Sequence, residues 1–280
     1  MRVLLAAAPS PARLHNLVPF AWALRTAGHD VKIAGEASFV DEILRTGCVA
    51  VDLAEPEALV EFAKLWRPDV VVSAAGTPVG DAVAIRLLGP LDEPGPSEAQ
   101  TTFDTVPPSL RDASDARPVR HVPYFGPVVV PEWLRRKARR SRVLLSLTDA
   151  TLAGPVFDAV AGVDAEAVWA TDSSRIPAGV SMPPNVRLVD AAPPAALLPT
   201  CAAVVHDGDA SLALAAVTQG VPQLSLTETA IGARIAAAGA GYVGAAEHIP
   251  ELASLSTAAN ALRDEIAALP APREVVASLG

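Results

Sequence analysis

The sequence predicts an α/β protein made of two Rossmann-like halves. Three observations carry this. Continuous apolar runs alternate with helical patterns over residues 2–88 and again from Arg142 onward, as a buried parallel sheet with crossover helices requires. A proline-dense stretch, Gly89 to Pro131, separates the two regions. The length of 280 residues, at about 150 residues per domain, allows one large domain or two small ones. The boundary is placed between 1–120, which ends in the Pro-rich connection, and 121–280.

The first half reads element by element. Arg2–Ala8 is an apolar run expected of a buried strand. Leu14–Ala27 places Leu17, Phe20, Ala21 and Leu24 on one helical face, with Gly28 as its stop. Asp30–Ala34 is a second strand, Ser38–Thr46 a helix before Gly47, and Val49–Leu53 a third strand. Glu57–Trp66 is a helix stopped by Arg67-Pro68, Asp69–Ala75 a fourth strand, and Gly80–Leu88 one more helix. The nine prolines of 89–131 rule out a regular helix there and predict a loop, an extended connection or a linker.

The second half predicts strands at Val143–Leu147, Ala165–Ala170, Val186–Val189, Ala202–Val205 and Gln223–Leu226. Helices are expected at Pro155–Ala161, Ala210–Val217, Ile231–Ala238 and Leu252–Leu269, with a helical turn at Ala195–Leu198.

Composition excludes several classes. Hydrophobic residues make up 51%, ample for a core, so the chain is not disordered. The net charge of −9 and a pI near 5.0 exclude a nucleic-acid-tracking surface. The one basic cluster, Arg135, Arg136, Lys137, Arg139 and Arg140, reads as a solvated linker. The mean hydropathy of +0.33 comes from Ala and Val. The longest uncharged run, Ala210–Thr227, holds Gln219, Gly220, Pro222 and Gln223, so no membrane span is expected. The N-terminal Met1–Leu5 reads as a strand rather than a leader. Cys48 and Cys201 form neither a disulfide framework nor a CxxC site. Both are expected as buried thiols of a cytoplasmic protein.

Specific residues narrow the class. His15-Asn16-Leu17-Val18-Pro19-Phe20-Ala21-Trp22-Ala23-Leu24-Arg25, followed by Ala27-Gly28-His29, resembles the opening helix of bacterial natural-product glycosyltransferases of the GT-B fold. That family attaches deoxysugars to macrolide and polyketide aglycones. Thr105–Leu110, Val122–Pro127 and Val130–Leu134 resemble its interdomain connection. Pro184–Asp190, Ala196–Cys201, Gly220–Gln223, Gly239–Gly241 and Pro270–Val276 resemble its nucleotide-sugar domain. The resemblance covers most of the chain in the right order. It implies two Rossmann-like domains facing a cleft, with the N-terminal, acceptor-side domain truncated. It also implies a UDP- or TDP-sugar and a small-molecule aglycone as ligands, no cofactor, and neither nucleic acid nor membrane as partner.

Sugar transfer needs a base for the acceptor hydroxyl, donors for the leaving diphosphate and a polar clamp for the sugar. By resemblance, the base position falls on Arg13, which is cationic and cannot act as one. His15 lies two residues on and reads either as a substitute base or as a helix-cap and packing histidine.

The family's His-x-Gly-Gly-x-Gly-Thr-like turn is here His206-Asp207-Gly208-Asp209-Ala210-Ser211-Leu212. His206 and Gly208 match, Ser211 can offer a hydroxyl, and Asp209 replaces the second glycine. The first strand–helix turn of this half is Thr148-Asp149-Ala150-Thr151. Carboxylates at 149, 207 and 209 therefore crowd the expected anion pocket. One carboxylate ~5 Å from a phosphate charge costs roughly 3 kcal/mol at an effective dielectric of 20. Asp207 and Asp209 also read as caps of the following helix. His206 with the two aspartates offers divalent-metal donor types, but no paired-His or HExxH spacing exists and no metal is expected.

Glu228 falls where the family has an acidic sugar ligand, without a second clamp residue. After Leu88 the chain runs almost directly into the interdomain pattern, leaving little for an aglycone wall. Three readings stay open: a compact nucleotide-sugar-dependent glycosyltransferase; a non-catalytic relative, alone or in a homo- or hetero-oligomer with a glycosyltransferase; and a fold repurposed for other acid–base chemistry on His15, His206, Asp207 and Asp209.

Overall fold

The computed structural model describes residues 1–53, 56–74, 85–95, 99–136, 138–171 and 173–279. The chain divides into two compact units, Met1–Pro127 with Ala268–Gly280, and Val128–Ala267.

In the first unit, seven parallel strands lie in the order β3-β2-β1-β4-β5-β6-β7. They are β1 (Arg2–Ala6), β2 (Asp30–Gly35), β3 (Val49–Asp52), β4 (Val70–Ala74), β5 (Ile85–Leu88), β6 (Thr101–Asp104) and β7 (Arg117–Pro118). Helices α1 (Pro11–Thr26), α2 (Val40–Arg45) and α3 (Pro56–Trp66) link the first four. The continuous apolar run of β1 has a packing cause. Val3 and Leu5 join the core formed with Leu14, Leu17 and Phe20 of α1, while Leu4 and Ala6 pack toward Leu59 of α3 on the other face. Gly28 closes α1 at φ +86°, and Arg67, at φ +51°, ends α3 before Pro68.

Two expectations fail here for physical reasons. Ile85–Leu88, expected as the end of a helix, is strand β5; residues 80–84 of that expected helix lie outside the described residues. A short apolar run does not separate a buried strand from a helix. The Pro-rich connection contributes β6 and β7, which are too short to show a period. Pro118 closes edge strand β7, where a missing N–H interrupts no ladder.

Buried charges tie this region together. Arg111 donates to Asp104 at 2.7 and 3.2 Å and to the Gly89 carbonyl at 2.7 Å. Burial nonetheless outweighs the Arg111 hydrogen bond and raises the Asp104 carboxyl above its ordinary range.

The second unit holds six parallel strands in the order β10-β9-β8-β11-β12-β13. They are β8 (Ser141–Ser146), β9 (Ala165–Ala170), β10 (Val186–Val189), β11 (Cys201–His206), β12 (Gln223–Ser225) and β13 (Gly241–Val243). Its helices are α4 (Ala153–Ala161), α5 (Pro194–Leu197), α6 (Ala210–Thr218), α7 (Ala230–Ala237) and α8 (Ser256–Ala268).

The core centres on Trp169, edge-on to Phe157 with ring centroids 5.9 Å apart. The helix expected from Leu252 to Leu269 begins only at Ser256. Before it runs a 3-10 segment, Ala246–Leu255, where Pro250 removes a backbone donor. Seven of the nine residues of α6 are buried, which accounts for its lack of charge. Among the described residues no helix is long and apolar enough to cross a membrane. Cys48 is buried, but Cys201 is only partly so; its thiol lies 3.3 Å from the Leu197 carbonyl, and burial pushes it up to about 12. Finally α9 (Pro272–Ala277) belongs to the first unit and puts Val275 and Val276 into the core beside α1.

One histidine sets an acid limit on the fold. His121 is buried, its Nδ1 has no partner, and burial depresses its imidazole to about 4. The unfolded chain therefore takes up a proton near pH 6.5 that the folded chain refuses. Stability is intact above pH 6.5 and falls as pH drops toward 4, by about 3 kcal/mol from this group. His15 and His206, also depressed by burial, act in the same direction. Denaturant unfolding of wild type and His121→Leu between pH 7.5 and 4.5 checks this: the wild-type curve is expected to fall more steeply, and parallel curves would refute the assignment.

Candidate functional site

Open parallel sheets bind ligands beyond the carboxyl ends of their strands, where the strand order reverses. In the second unit that point lies between β8 and β11. Their register pairs Ser146 with His206, so the turn holding Thr148 and Asp149 lies beside the turn holding Asp207–Asp209.

The two turns are stitched together by carboxylates. Asp207 Oδ2 accepts the backbone N–H of Thr148 at 2.6 Å and of Asp149 at 2.8 Å. Asp209 is the N-cap of α6, and its Oδ1 accepts the N–H groups of Ser211 at 2.9 Å and Leu212 at 3.0 Å. Asp149 caps its own turn, accepting the N–H of Thr151 at 2.9 Å and its hydroxyl at 2.7 Å; these bonds hold its carboxyl below the ordinary range.

The capping reading thus describes Asp209. Asp207 does something else: it binds across the sheet to the neighbouring turn. Free N–H groups at a strand–helix turn make an anion site, and here two aspartates occupy four of them.

His206 is fully buried. Its Nδ1 accepts the Gly208 N–H at 3.1 Å, so the Nε2–H donates to Gln223 Oε1 at 3.0 Å. Gln223 in turn donates to the Ala213 carbonyl at 3.0 Å. Burial lowers the imidazole's pKa against the opposing pull of Gln223, Asp209 and Asp207. Both ring nitrogens are spent inside the fold. Gly208 holds φ +103°, and a side chain there would meet Thr229 at 3.1 Å. Ser211 is half-buried in the first turn of α6, and Glu228 is exposed between β12 and α7. The Thr148 carbonyl accepts from Arg175 at 2.7 Å.

The first-unit candidates go to different partners. Arg13 Nε pairs with buried Asp92 at 3.1 Å, and Asp92 also accepts the Gly89 N–H at 2.9 Å. The space left beside Arg13, Asn16 and Asp92 is a cavity of about 10 Å³, far below the about 300–1,000 Å³ of a small-molecule site. His15 packs edge-on to Tyr124, centroids 5.1 Å apart, with Nε2 buried and 3.6 Å from Glu42, beyond hydrogen-bond distance. Burial lowers its pKa against the pull of Glu42.

Sequence reasoning missed Gln223, Asp92 and Arg175. Gln223, a polar residue opening a short buried strand, was a readable signal; the other two were not. Among the described residues no group of three His, Cys, Asp or Glu is arranged to hold a metal.

The two parallel-sheet α/β units match solved glycosyltransferases, which places the chain in the GT-B class of fold. The C-terminal domain of the erythromycin biosynthesis protein CIII-like family matches residues 155–280 and its N-terminal domain matches residues 86–148. The chain belongs to this family of natural-product glycosyltransferases. It is 30% identical to TDP-daunosamine transferase DnrS of Streptomyces peucetius, over 81% of this chain and 80% of that one. It is 29% identical to 10-deoxymethynolide desosaminyltransferase of Streptomyces venezuelae, over 100% and 96% of the two chains. The glycosyltransferase VinC, solved in complex with dTDP, matches at 27% identity and TM-score 0.89, over 100% of this chain and 98% of that one. The desosaminyltransferase alignment runs over 410 positions, so with 280 residues here at least 130 of them have no residue in this chain.

Proposed function

We propose that this chain is a non-catalytic member of its family, a glycosyltransferase fold that serves natural-product biosynthesis as an auxiliary protein and does not transfer sugar from a nucleotide donor. The carrying observation is the filling of the turn donors at Thr148, Asp149, Ser211 and Leu212 by Asp207 and Asp209. A leaving diphosphate needs such N–H groups free and meets two negative charges instead.

Three further facts support the reading. His206 has no nitrogen left to donate. Arg13 stands at the expected base position and is tied to Asp92. At least 130 positions of a full-length relative are missing, and we place that loss in the acceptor-side wall after Leu88.

One observation favours an active, UDP- or TDP-sugar-dependent enzyme: the close likeness to VinC, whose solved complex holds dTDP. Turnover separates the two. The purified protein incubated with a TDP-deoxysugar, with and without a macrolide aglycone, is expected to release no TDP above the uncatalysed background. Release that scales with protein concentration would overturn the reading.

A further inference from the structure

We infer that the second unit carries a basic docking groove for an acidic, extended segment of a partner protein, at the pole of the sheet opposite the Asp207 turn. The groove has a volume of about 820 Å³ and lies where β8, β9 and β10 begin, lined by Trp133, Arg136, Arg139, Arg140 and Arg142 on one side and by residues 184–188 on the other. The Asp207 and Thr148 turns follow the opposite ends of β11 and β8, so the groove is no part of that site.

Its charge is unbalanced by construction. Arg142 is buried and pairs with Glu166 at 3.0 Å, and Arg187 reaches the same carboxylate at 3.4 Å. One glutamate therefore serves two guanidiniums. Both arginines also stack on Trp133, at 4.8 Å for Arg187 and 5.4 Å for Arg142 from the ring centroid, which fixes them as a rigid cationic wall. Arg136 and Arg140 meet Glu132 and Asp164 only at 3.7 and 3.9 Å, all four well exposed, and such pairs contribute little. Arg139 has no ion pair among the described residues. Four exposed arginines, Arg136, Arg139, Arg140 and Arg187, with buried Arg142 behind them, outnumber Glu166, Glu132 and Asp164 and leave a net positive patch on a chain whose net charge is −9.

The neighbouring features select the occupant. β10 is an edge strand, so one side of its backbone has no strand partner in the sheet. Met182 and Pro184 add exposed apolar surface to the same wall. An edge strand, an apolar strip and a row of guanidiniums fit an extended peptide with carboxylates and apolar side chains in alternation, which can add a strand to the sheet. A small anion would use only the charge. This surface is independent of the donor-turn reading.

The test uses a fluorescent octapeptide of alternating Glu and Val, titrated with the full chain and followed by anisotropy. Saturable binding is expected, weakened at least tenfold between 50 and 300 mM NaCl and at least tenfold by Arg139→Glu. Arg139 is exposed and holds no ion pair among the described residues, so its reversal disturbs no packed contact described there; Arg187→Glu provides a second test on the stacked wall. The double variant Asp207→Ala, Asp209→Gly is expected to bind the peptide as wild type does, which keeps this test separate from that of the donor site. Equal binding by wild type and both charge-reversed variants would overturn the proposal. So would complete displacement of the peptide by equimolar pyrophosphate, tighter binding of an RNA oligonucleotide, or self-association of the chain that Arg139→Glu abolishes.

Discussion

Arg111→Met is expected to lower the stability of the first unit by about 3–5 kcal/mol at pH 7, the cost of leaving a buried carboxylate without its counter-charge. The Arg111 side chain and the Asp104 carboxylate are equally inaccessible, each 5% exposed, and are joined by two hydrogen bonds. Arg111 also satisfies the Gly89 carbonyl, which the methionine leaves without that donor. The Asp104 carboxyl is already raised by burial, and losing the guanidinium raises it further. Protonation then relieves part of the strain, so the deficit shrinks as pH falls. Adding Asp104→Asn removes the orphaned charge while keeping an acceptor for the Val106 N–H, and is expected to recover more than half of the loss. Denaturant unfolding of the three variants at pH 7 and pH 5 checks all of this. A loss under 1 kcal/mol for Arg111→Met would show that the pair carries no weight.

The second large effect is a gain. Asp207→Ala with Asp209→Gly is expected to open the four turn N–H groups and create affinity for dTDP. Each removed carboxylate, taken at roughly 5 Å from a phosphate, relieves about 3 kcal/mol of repulsion at an effective dielectric of 20. The fold should bear the change. The Thr148 and Asp149 N–H groups lie in exposed hydrogen bonds, so water can replace the carboxylate. Glycine at an N-cap costs only a few tenths of a kcal/mol. With a dissociation constant near 0.1 mM, 1 mM dTDP would stabilise the variant by about 1.4 kcal/mol, seen as a melting-temperature rise that wild type lacks. No rise in the variant would show that these two carboxylates are not what keeps the nucleotide out.

Much of the fold was legible because parallel strands buried on both faces leave unbroken apolar runs, as in Val3–Ala6 of β1 and Cys201–Val205 of β11. Helix ends were legible at Gly28, Gly220 and Arg67-Pro68 through their backbone demands. β5, β6 and β7 were not: β5 is a short apolar run that reads equally as a helix end, and prolines around β6 and β7 mimic a loop. At the site, the strand–turn–helix around His206 and the excess of acid there could be read directly. The reach of Asp207 to Thr148 could not, because it depends on the register that sets His206 beside Ser146. Arg13 and Asp92 meet across 79 positions of sequence, a pairing that no local pattern encodes. His15 carried two readings in the sequence, substitute base or packing histidine, and its position beside Tyr124 and Glu42 depends on long-range contacts that no local pattern shows.

In the proposed function the chain's own carboxylates hold the donors that a nucleotide diphosphate would need. Calorimetric titration of dTDP into the wild-type protein tests it most directly. No saturable heat is expected up to 1 mM nucleotide. Saturable one-to-one binding with a dissociation constant well below 1 mM would contradict it.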